Sequence, residues 1–305
     1  MSNTEPKKFQ IKGRLDKMIV PIDKLANDIF RYTPDEYKDI VINHAPCGCL
    51  EGEDRNGKQV ETPYWLELAK DYVDLSPLTP FHREVLFAAI SAYEQGYRVL
   101  TFKMALNALT GTDKSRIWEE QYEAIREAIH KLMKTVITID LKPLLTAFPK
   151  YKKRHTGKAE LVSPLLPCRY LNVEINGQRA LAVELFEESP LMTVAKIKKQ
   201  LISYGTAPLV FPHQKNTENV IVLKNYLLRR IKLMKSAERK KGLNNSILFE
   251  TLYEKCGFAK ASKSEKQDAR EIIIDILNHF KDSKVIENFE IEKFGCSYRS
   301  IIISL

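Results

Sequence analysis

The stretch Thr101–Leu141, TFKMALNALTGTDKSRIWEEQYEAIREAIHKLMKTVITIDL, reads as a short helix, a turn at Gly111, a longer amphipathic helix and a strand rich in Val, Ile and Thr. In the longer helix Ile117, Ile125, Ala128, Ile129, Leu132 and Met133 recur at spacings of three and four. That spacing puts them on one face and leaves Lys114, Arg116, Glu119, Glu123 and Arg126 on the other. One face belongs to a core and the other is free to meet a partner. Lys114, Ser115 and Arg116 stand directly after the glycine turn, where basic and hydroxyl side chains reach phosphates and base edges if the helix enters a major groove. An ordinary helical hairpin shows the same periodicity, so this stretch alone leaves both readings open.

The pattern returns near the C-terminus. Asn245–Gly257 (NSILFETLYEKCG) supplies the short helix and its turn, Lys263–Lys281 (KSEKQDAREIIIDILNHFK) the longer helix, and Val285–Ile291 and Ser300–Leu305 two strands. Two copies in the same order favour a duplicated module. The expected architecture is therefore α+β, mainly α with small antiparallel sheets, built as two tandem winged helix-turn-helix domains.

At 305 residues the chain has room for about two domains, each burying its own core. Lys and Arg number 48 against 39 Asp and Glu, a net charge of +9, which points to an acidic polymer or surface as partner. No run of about 18 apolar residues is present and the N-terminal MSNTEPKKFQIKGR is polar, so neither a membrane span nor a signal peptide is expected and the chain should stay in the cytoplasm. Five scattered cysteines fit a reducing compartment rather than a disulfide framework.

Residues 1–65 read as an extension with a short helix near Ile22–Phe30. They also hold a small hairpin in CLEGEDRNGKQVE, where Asn56-Gly57 supplies the turn. The first domain is expected over 66–208. It opens with a core helix capped by Thr79 and started by Pro80, whose stripe is Val85, Leu86, Ala89, Ile90 and Tyr93. A basic loop over 150–158 contains Lys152, Lys153 and Arg154. Strands Arg169–Ile175 and Arg179–Phe186, joined by Asn176-Gly177, are expected to form one sheet with Thr135–Leu141. A helix over Met192–Ser203 leads to a break at TAPLVFPHQ, and the second domain covers 209–305. Its first helix, Thr217–Lys235, buries Val220, Leu223, Leu227, Ile231 and Met234. The other side and the tail carry Lys224, Arg229, Arg230, Lys232, Lys235, Arg239, Lys240 and Lys241.

Basic runs are usually solvated surface. These two lie in modules whose longer helix also begins with basic residues, and Lys and Arg contacts to phosphate supply most of the affinity for duplex DNA. In the second module Lys263, Ser264, Lys266, Gln267 and Arg270 occupy the first two turns, away from Ala269, Ile273, Ile276 and Phe280. Gln and Arg are the types that pair bidentately with adenine and guanine edges. Gly52–Gln59 (GEDRNGKQ) nearly matches a phosphate-cradling loop but lacks the final hydroxyl, and a hairpin turn is the simpler reading. His44, Cys47 and Cys49 offer soft ligands without an evident fourth, so no metal is expected. Trp118 and Tyr122, one turn apart, suit a core or interface better than a DNA contact. Signatures of an activated nucleophile are lacking, so no enzyme and no cofactor is expected.

The helix PFHREVLFAAISAY ahead of two such modules resembles the plasmid replication initiators that bind repeated origin sequences. The run VIVLKNYLLRRIKLMKS, ILFETLYEKCG and EKQDAREIIIDILNHFK is similar to that family's C-terminal DNA-reading domain. The resemblance spans about Thr79 to Leu305 and rests on element order; the N-terminal residues and the loop near Lys150 depart from it. It implies an origin-binding protein without catalysis, with double-stranded DNA repeats, a host replicative helicase or its loader, and a second copy of the chain as partners. It also implies that the second module makes the principal base contacts. On the residues, Lys266, Gln267 and Arg270 would stand near bases, with Lys114, Ser115 and Arg116 in the equivalent place of the first module. Arg229, Arg230, Lys232, Lys152, Lys153 and Arg154 would hold phosphates. A transcriptional regulator and a protein-interaction adaptor are the competing expectations.

Overall fold

The computed structural model of the chain describes residues 14–53, 59–112, 119–148, 160–175, 178–211, 215–238, 245–295 and 297–305. The chain opens with β1 (Lys17–Pro21), a single turn α1 (Leu25–Asp28) and α2 (Pro34–Asn43). Strands β2 (Gly48–Glu53) and β3 (Gln59–Leu68) pair antiparallel, as the hairpin reading expects; their turn at Asn56-Gly57 lies outside the described residues. Helix α3 (Pro80–Glu94) begins at the expected cap: the Thr79 hydroxyl accepts from the His82 amide, and His82 Nδ1 accepts from the Thr79 amide at 3.0 Å.

A regular order follows: β4 (Val99–Thr101), α4 (Phe102–Thr110), α5 (Glu119–Lys134), β5 (Thr135–Asp140), α6 (Leu141–Ala147), β6 (Glu160–Pro164), β7 (Cys168–Ile175) and β8 (Gln178–Leu185). Helix α7 (Pro190–Lys198) and β9 (Leu201–Gly205) end the first unit. The second contains α8 (Glu218–Glu238), β10 (Ser246–Leu248), α9 (Phe249–Cys256), α10 (Lys263–Asp282), β11 (Asn288–Phe294) and β12 (Ser297–Ser304). In each unit a helix leads into a short strand, two helices and a hairpin, and the sheet order is the same: β4-β8-β7 in the first, β10-β12-β11 in the second. Both short helices end on a left-handed glycine, Gly111 at φ +70° and Gly257 at φ +88°, where a side chain would be strained.

Three expectations are corrected. Strand β5 does not join the β7–β8 hairpin. Its buried positions Ile137 and Ile139 align with Leu66 and Tyr64 of β3, its other edge takes β6, and a four-stranded sheet β2-β3-β5-β6 results. The hairpin pairs instead with Val99–Thr101, three residues too short to show a period. The helix expected over Met192–Ser203 stops at Lys198, with Lys199 left-handed at φ +56°. Beyond it Ile202 and Tyr204 are buried in alternation with exposed Ser203 and Gly205, and β9 pairs with β1. Finally, Lys224 and Arg229 are not on an open basic face; both are buried where the units meet.

One contiguous apolar core runs through both units. Helices α3 and α8 face each other across the junction, and between them lies a carboxylate with no exposed surface. Glu84 accepts from Arg83 Nε at 3.0 Å and Nη2 at 2.8 Å, and from Arg229 Nη2 at 2.7 Å and Nη1. Burial pushes the Glu84 carboxyl up, but the two guanidinium groups outweigh it and hold the group below the ordinary glutamate value. Arg83 also reaches into the second unit, donating to the Lys255 carbonyl at 3.2 Å. Around this pair, Asn225 donates to the Leu109 carbonyl at 2.9 Å, and Lys224 Nζ donates to Leu209 O at 2.9 Å and Asn216 Oδ1 at 2.6 Å. Gly111 touches the connecting segment so closely that a Cβ there would sit 2.3 Å from the Thr206 carbonyl oxygen. The N-terminal residues join the same body through β1, whose Ile19 amide donates to Ser91 Oγ at 2.9 Å, and through the Arg31–Glu254 ion pair.

Replacing Glu84 by Gln leaves two buried guanidinium groups without a counter-charge, and the expected cost is about 3–5 kcal/mol in urea unfolding. A loss below about 1 kcal/mol, the range of an exposed pair, would show that the junction does not depend on this charge. Burial lowers the Lys224 ammonium from its ordinary 10.5 to about 7. Between those values the unfolded chain holds the proton and the folded one does not, so stability should rise with pH, by at most about 1.4 kcal/mol per pH unit. Lys224→Met should flatten that slope; equal slopes in the two proteins would remove Lys224 as its source.

Candidate nucleic-acid interface

Helix α10 is fixed at its start and along its length. Ser262 Oγ accepts from the Glu265 amide at 3.3 Å and the Glu265 carboxylate accepts from the Ser262 amide at 2.7 Å, closing a capping box. Those bonds hold the exposed Glu265 carboxyl below its ordinary value. Burial of Ala269, Ile273, Ile276, Leu277 and Phe280 then sets the helix rotation. Given that rotation, Lys263, Gln267 and Arg270 follow one another along one flank at spacings of three and four, with Lys266 beside them. Ser264, Asp268, Glu271 and Asp275 form a separate stripe. The structure thus keeps Lys263, Lys266, Gln267 and Arg270 together and sets Ser264 among acids.

The basic flank lies against the β11–β12 hairpin. The Arg270 guanidinium sits 4.8 Å over the Tyr298 ring, and Lys293 Nζ, from the opposite strand, sits 4.6 Å from the same ring. Lys266 Nζ lies 5.8 Å over Tyr253 and donates to the Ala259 carbonyl at 3.1 Å, while the Tyr253 hydroxyl donates to the Lys266 carbonyl at 3.3 Å. Phe249 backs both tyrosines, with ring centroids 5.9 Å from Tyr253 and 5.6 Å from Tyr298. Two aromatic rings therefore hold three cations from two different elements, each contact contributing about 0.5–1 kcal/mol at an exposed site. Strand register makes this possible. Glu292 pairs with Ser300 but Lys293 pairs with Tyr298, so Arg299 is the extra residue of a bulge and Tyr298 is turned toward the helix. Arg299 stays exposed, 3.8 Å from Glu292.

Sequence reasoning singled out the helix residues but not Lys293, Tyr298 or Arg299, which the structure places beside them. The signal was present in KFGCSYR, where basic and aromatic residues flank Gly295, a turn glycine at φ +58°. Of the residues expected to hold phosphates, Arg229 is excluded by its bond to Glu84, whereas Arg230 and Lys232 remain partly exposed on α8. Lys114, Ser115 and Arg116, and likewise Lys152, Lys153 and Arg154, lie outside the described residues. What is described of α5 is acidic outside: Glu119, Glu120 and Glu127 are exposed, and Arg126 is paired with Glu123 at 3.1 Å. Tyr122 packs on Phe102 with centroids 4.8 Å apart, the core role expected for it.

A cleft of about 730 Å³ in the first unit is lined by Tyr72, Asp74, His82, Arg126, His130 and Lys131. Several of its charged groups are engaged within the protein. Lys131 Nζ donates to Asp74 at 2.9 Å and to Ser76, and burial lowers His82 to about 4, leaving it neutral beside Thr79. Among the described residues no group of three His, Cys, Asp or Glu could hold a metal ion, and burial raises the Cys47 thiol to about 12, away from the thiolate form. No described helix is long and apolar enough to cross a membrane.

No family model and no curated protein matches the chain. Among solved structures it is similar to RctB domains 2-3 (RctB-155-483), with a TM-score of 0.41 and 11% identity over 90% of this chain and 97% of that one. A selenomethionine derivative of the same two RctB domains gives a TM-score of 0.39 and 11% identity over 90% and 99%.

Proposed function

We propose that both units are winged helices, that the second binds duplex DNA with α10 in the major groove and the β11–β12 hairpin as its wing, and that the protein initiates replication at repeated origin sites of a plasmid or mobile element. The observation that carries the reading is the joining of Lys266 and Arg270 on the helix to Lys293 on the hairpin through Tyr253 and Tyr298. A groove-reading helix needs cations on both sides of the groove it enters, held at a fixed separation, because phosphate contacts set the register in which base edges are read. In this arrangement Lys266, Gln267 and Arg270 face base edges, Lys263, Lys293 and Arg299 meet phosphates, and Arg230 and Lys232 extend the contact along the backbone. In the first unit Lys114, Ser115 and Arg116, with the basic Lys152, Lys153 and Arg154, make a second and weaker contact. The same proposal includes action without catalysis, a host helicase or its loader as a partner, and pairing with a second copy of the chain.

Selection of bound duplexes from a random pool separates this reading from its rivals. Direct repeats support an initiator, a lone palindrome favours a transcriptional regulator, and no enrichment favours a protein-interaction adaptor. On the selected duplex, Lys266→Ala with Arg270→Ala should abolish discrimination between the site and random sequence, each base pairing being worth about 1–3 kcal/mol. Unchanged discrimination would mean that α10 is not the reader. Affinity should also fall steeply with salt, with a log–log slope of about −0.9 per phosphate neutralised, and Lys293→Ala should make the slope shallower by about one unit. A slope that Lys293→Ala leaves unaltered would take the hairpin out of the interface.

A further inference from the structure

The hairpin that carries Lys293 ends in an aromatic side chain that stays largely exposed among the described residues. Phe294 is 78% exposed, next to Gly295, whose φ of +58° turns the chain at the tip. Isolated exposed apolar residues are common, so exposure by itself means little. Position gives it meaning. Lys293 and Tyr298 are register partners on the side of the hairpin that faces α10, whereas Phe294 pairs with Ser297, and successive residues of a strand point to opposite faces. The ring therefore cannot join the cluster of Tyr253, Tyr298 and Phe249, and it stands at the far end of an arm whose root is anchored. That root is stiffened by the bulge at Arg299, by the Ser300 hydroxyl donating to Glu292 at 2.5 Å, and by the two cations stacked on Tyr298. A large apolar group at the end of a rigid arm, beside cations that attract phosphate, has the make-up of a side chain pushed between stacked base pairs.

Resting on the reading of the second unit as a duplex-binding module, we infer that Phe294 is a wedge that partly unstacks a base step next to the stretch held by α10. The wing then deforms DNA as well as gripping it. Flexible pyrimidine–purine steps, TA above all, are the substrate class, because they unstack at the lowest cost. For an initiator, such a contact would couple recognition of a site to the first local opening of the helix.

The test uses the full chain and a duplex rich in TA steps that carries the fluorescent base aminopurine at those steps, whose emission rises on unstacking. Binding is followed separately by the anisotropy of an end label at low salt, where sequence-independent binding suffices. Wild type should bind and raise the emission. Phe294→Ser should keep most of the binding and lose the rise, and Phe294→Leu, which retains an apolar wedge, should keep part of it. The substituted side chain is exposed, so the fold is not at stake. A full rise with Phe294→Ser, or wild-type binding with no rise, overturns the wedge and leaves the interface standing. Absence of wild-type binding to any duplex overturns both.

Discussion

The buried contact of Glu84 with Arg83 and Arg229 is the constraint on which the arrangement of the two units depends. It places one carboxylate and two guanidinium groups between α3 and α8 with almost no access to water, so each charge is tolerable only while the others stay in place. Apolar surfaces could slide or rotate against each other at little cost; a bidentate arginine pair fixes both the distance and the angle. The surrounding contacts repeat the point: Asn225 on Leu109, Lys224 on Leu209 and the close approach of Gly111 to Thr206. A protein proposed to read repeated DNA sites gains from such rigidity, since two reading modules at a fixed angle meet only sites with matching spacing.

The same network explains the fate of the densest run of positive charge in the sequence. Two of the five described cations of what looks like a phosphate-binding face on α8 are directed inward. Lys224 and Arg229 stabilise the junction, and Arg230, Lys232 and Lys235 are left partly exposed on the helix. The proposed interface instead gathers on α10 and the hairpin behind it, where Lys266, Arg270 and Lys293 are held on tyrosine rings rather than by carboxylates. That choice of partner matters. A carboxylate would neutralise the cation that a phosphate needs to meet, whereas an aromatic ring orients the cation and leaves its charge available.

Much of the fold was readable from residues one at a time. Thr79–Pro80, Gly111 and Gly257 mark helix ends by local chemistry, and the apolar spacing of α5, α8 and α10 marks their buried faces. The positions of Lys263, Lys266, Gln267 and Arg270 on one flank of α10 followed from the same spacing. The errors came where pairing decides. Strand β5 could lie beside either of two hairpins with equal local propensity, and β4 and β9 are too short for a period to identify.

Helix limits, turn residues and the segregation of apolar from charged side chains are therefore properties of the polypeptide read locally, because each depends on neighbours within about one helical turn or one strand repeat. Which strand sits beside which, and whether a given cation faces a phosphate or a buried glutamate, are not. Arg229 and Arg270 are the same residue type on similar amphipathic helices, yet one meets Glu84 from the other unit and the other meets Tyr298 from a bulged strand. Their different roles come from partners far away in the chain, brought close by the closing of one shared core, and long-range contacts of that kind have no signature in sequence spacing.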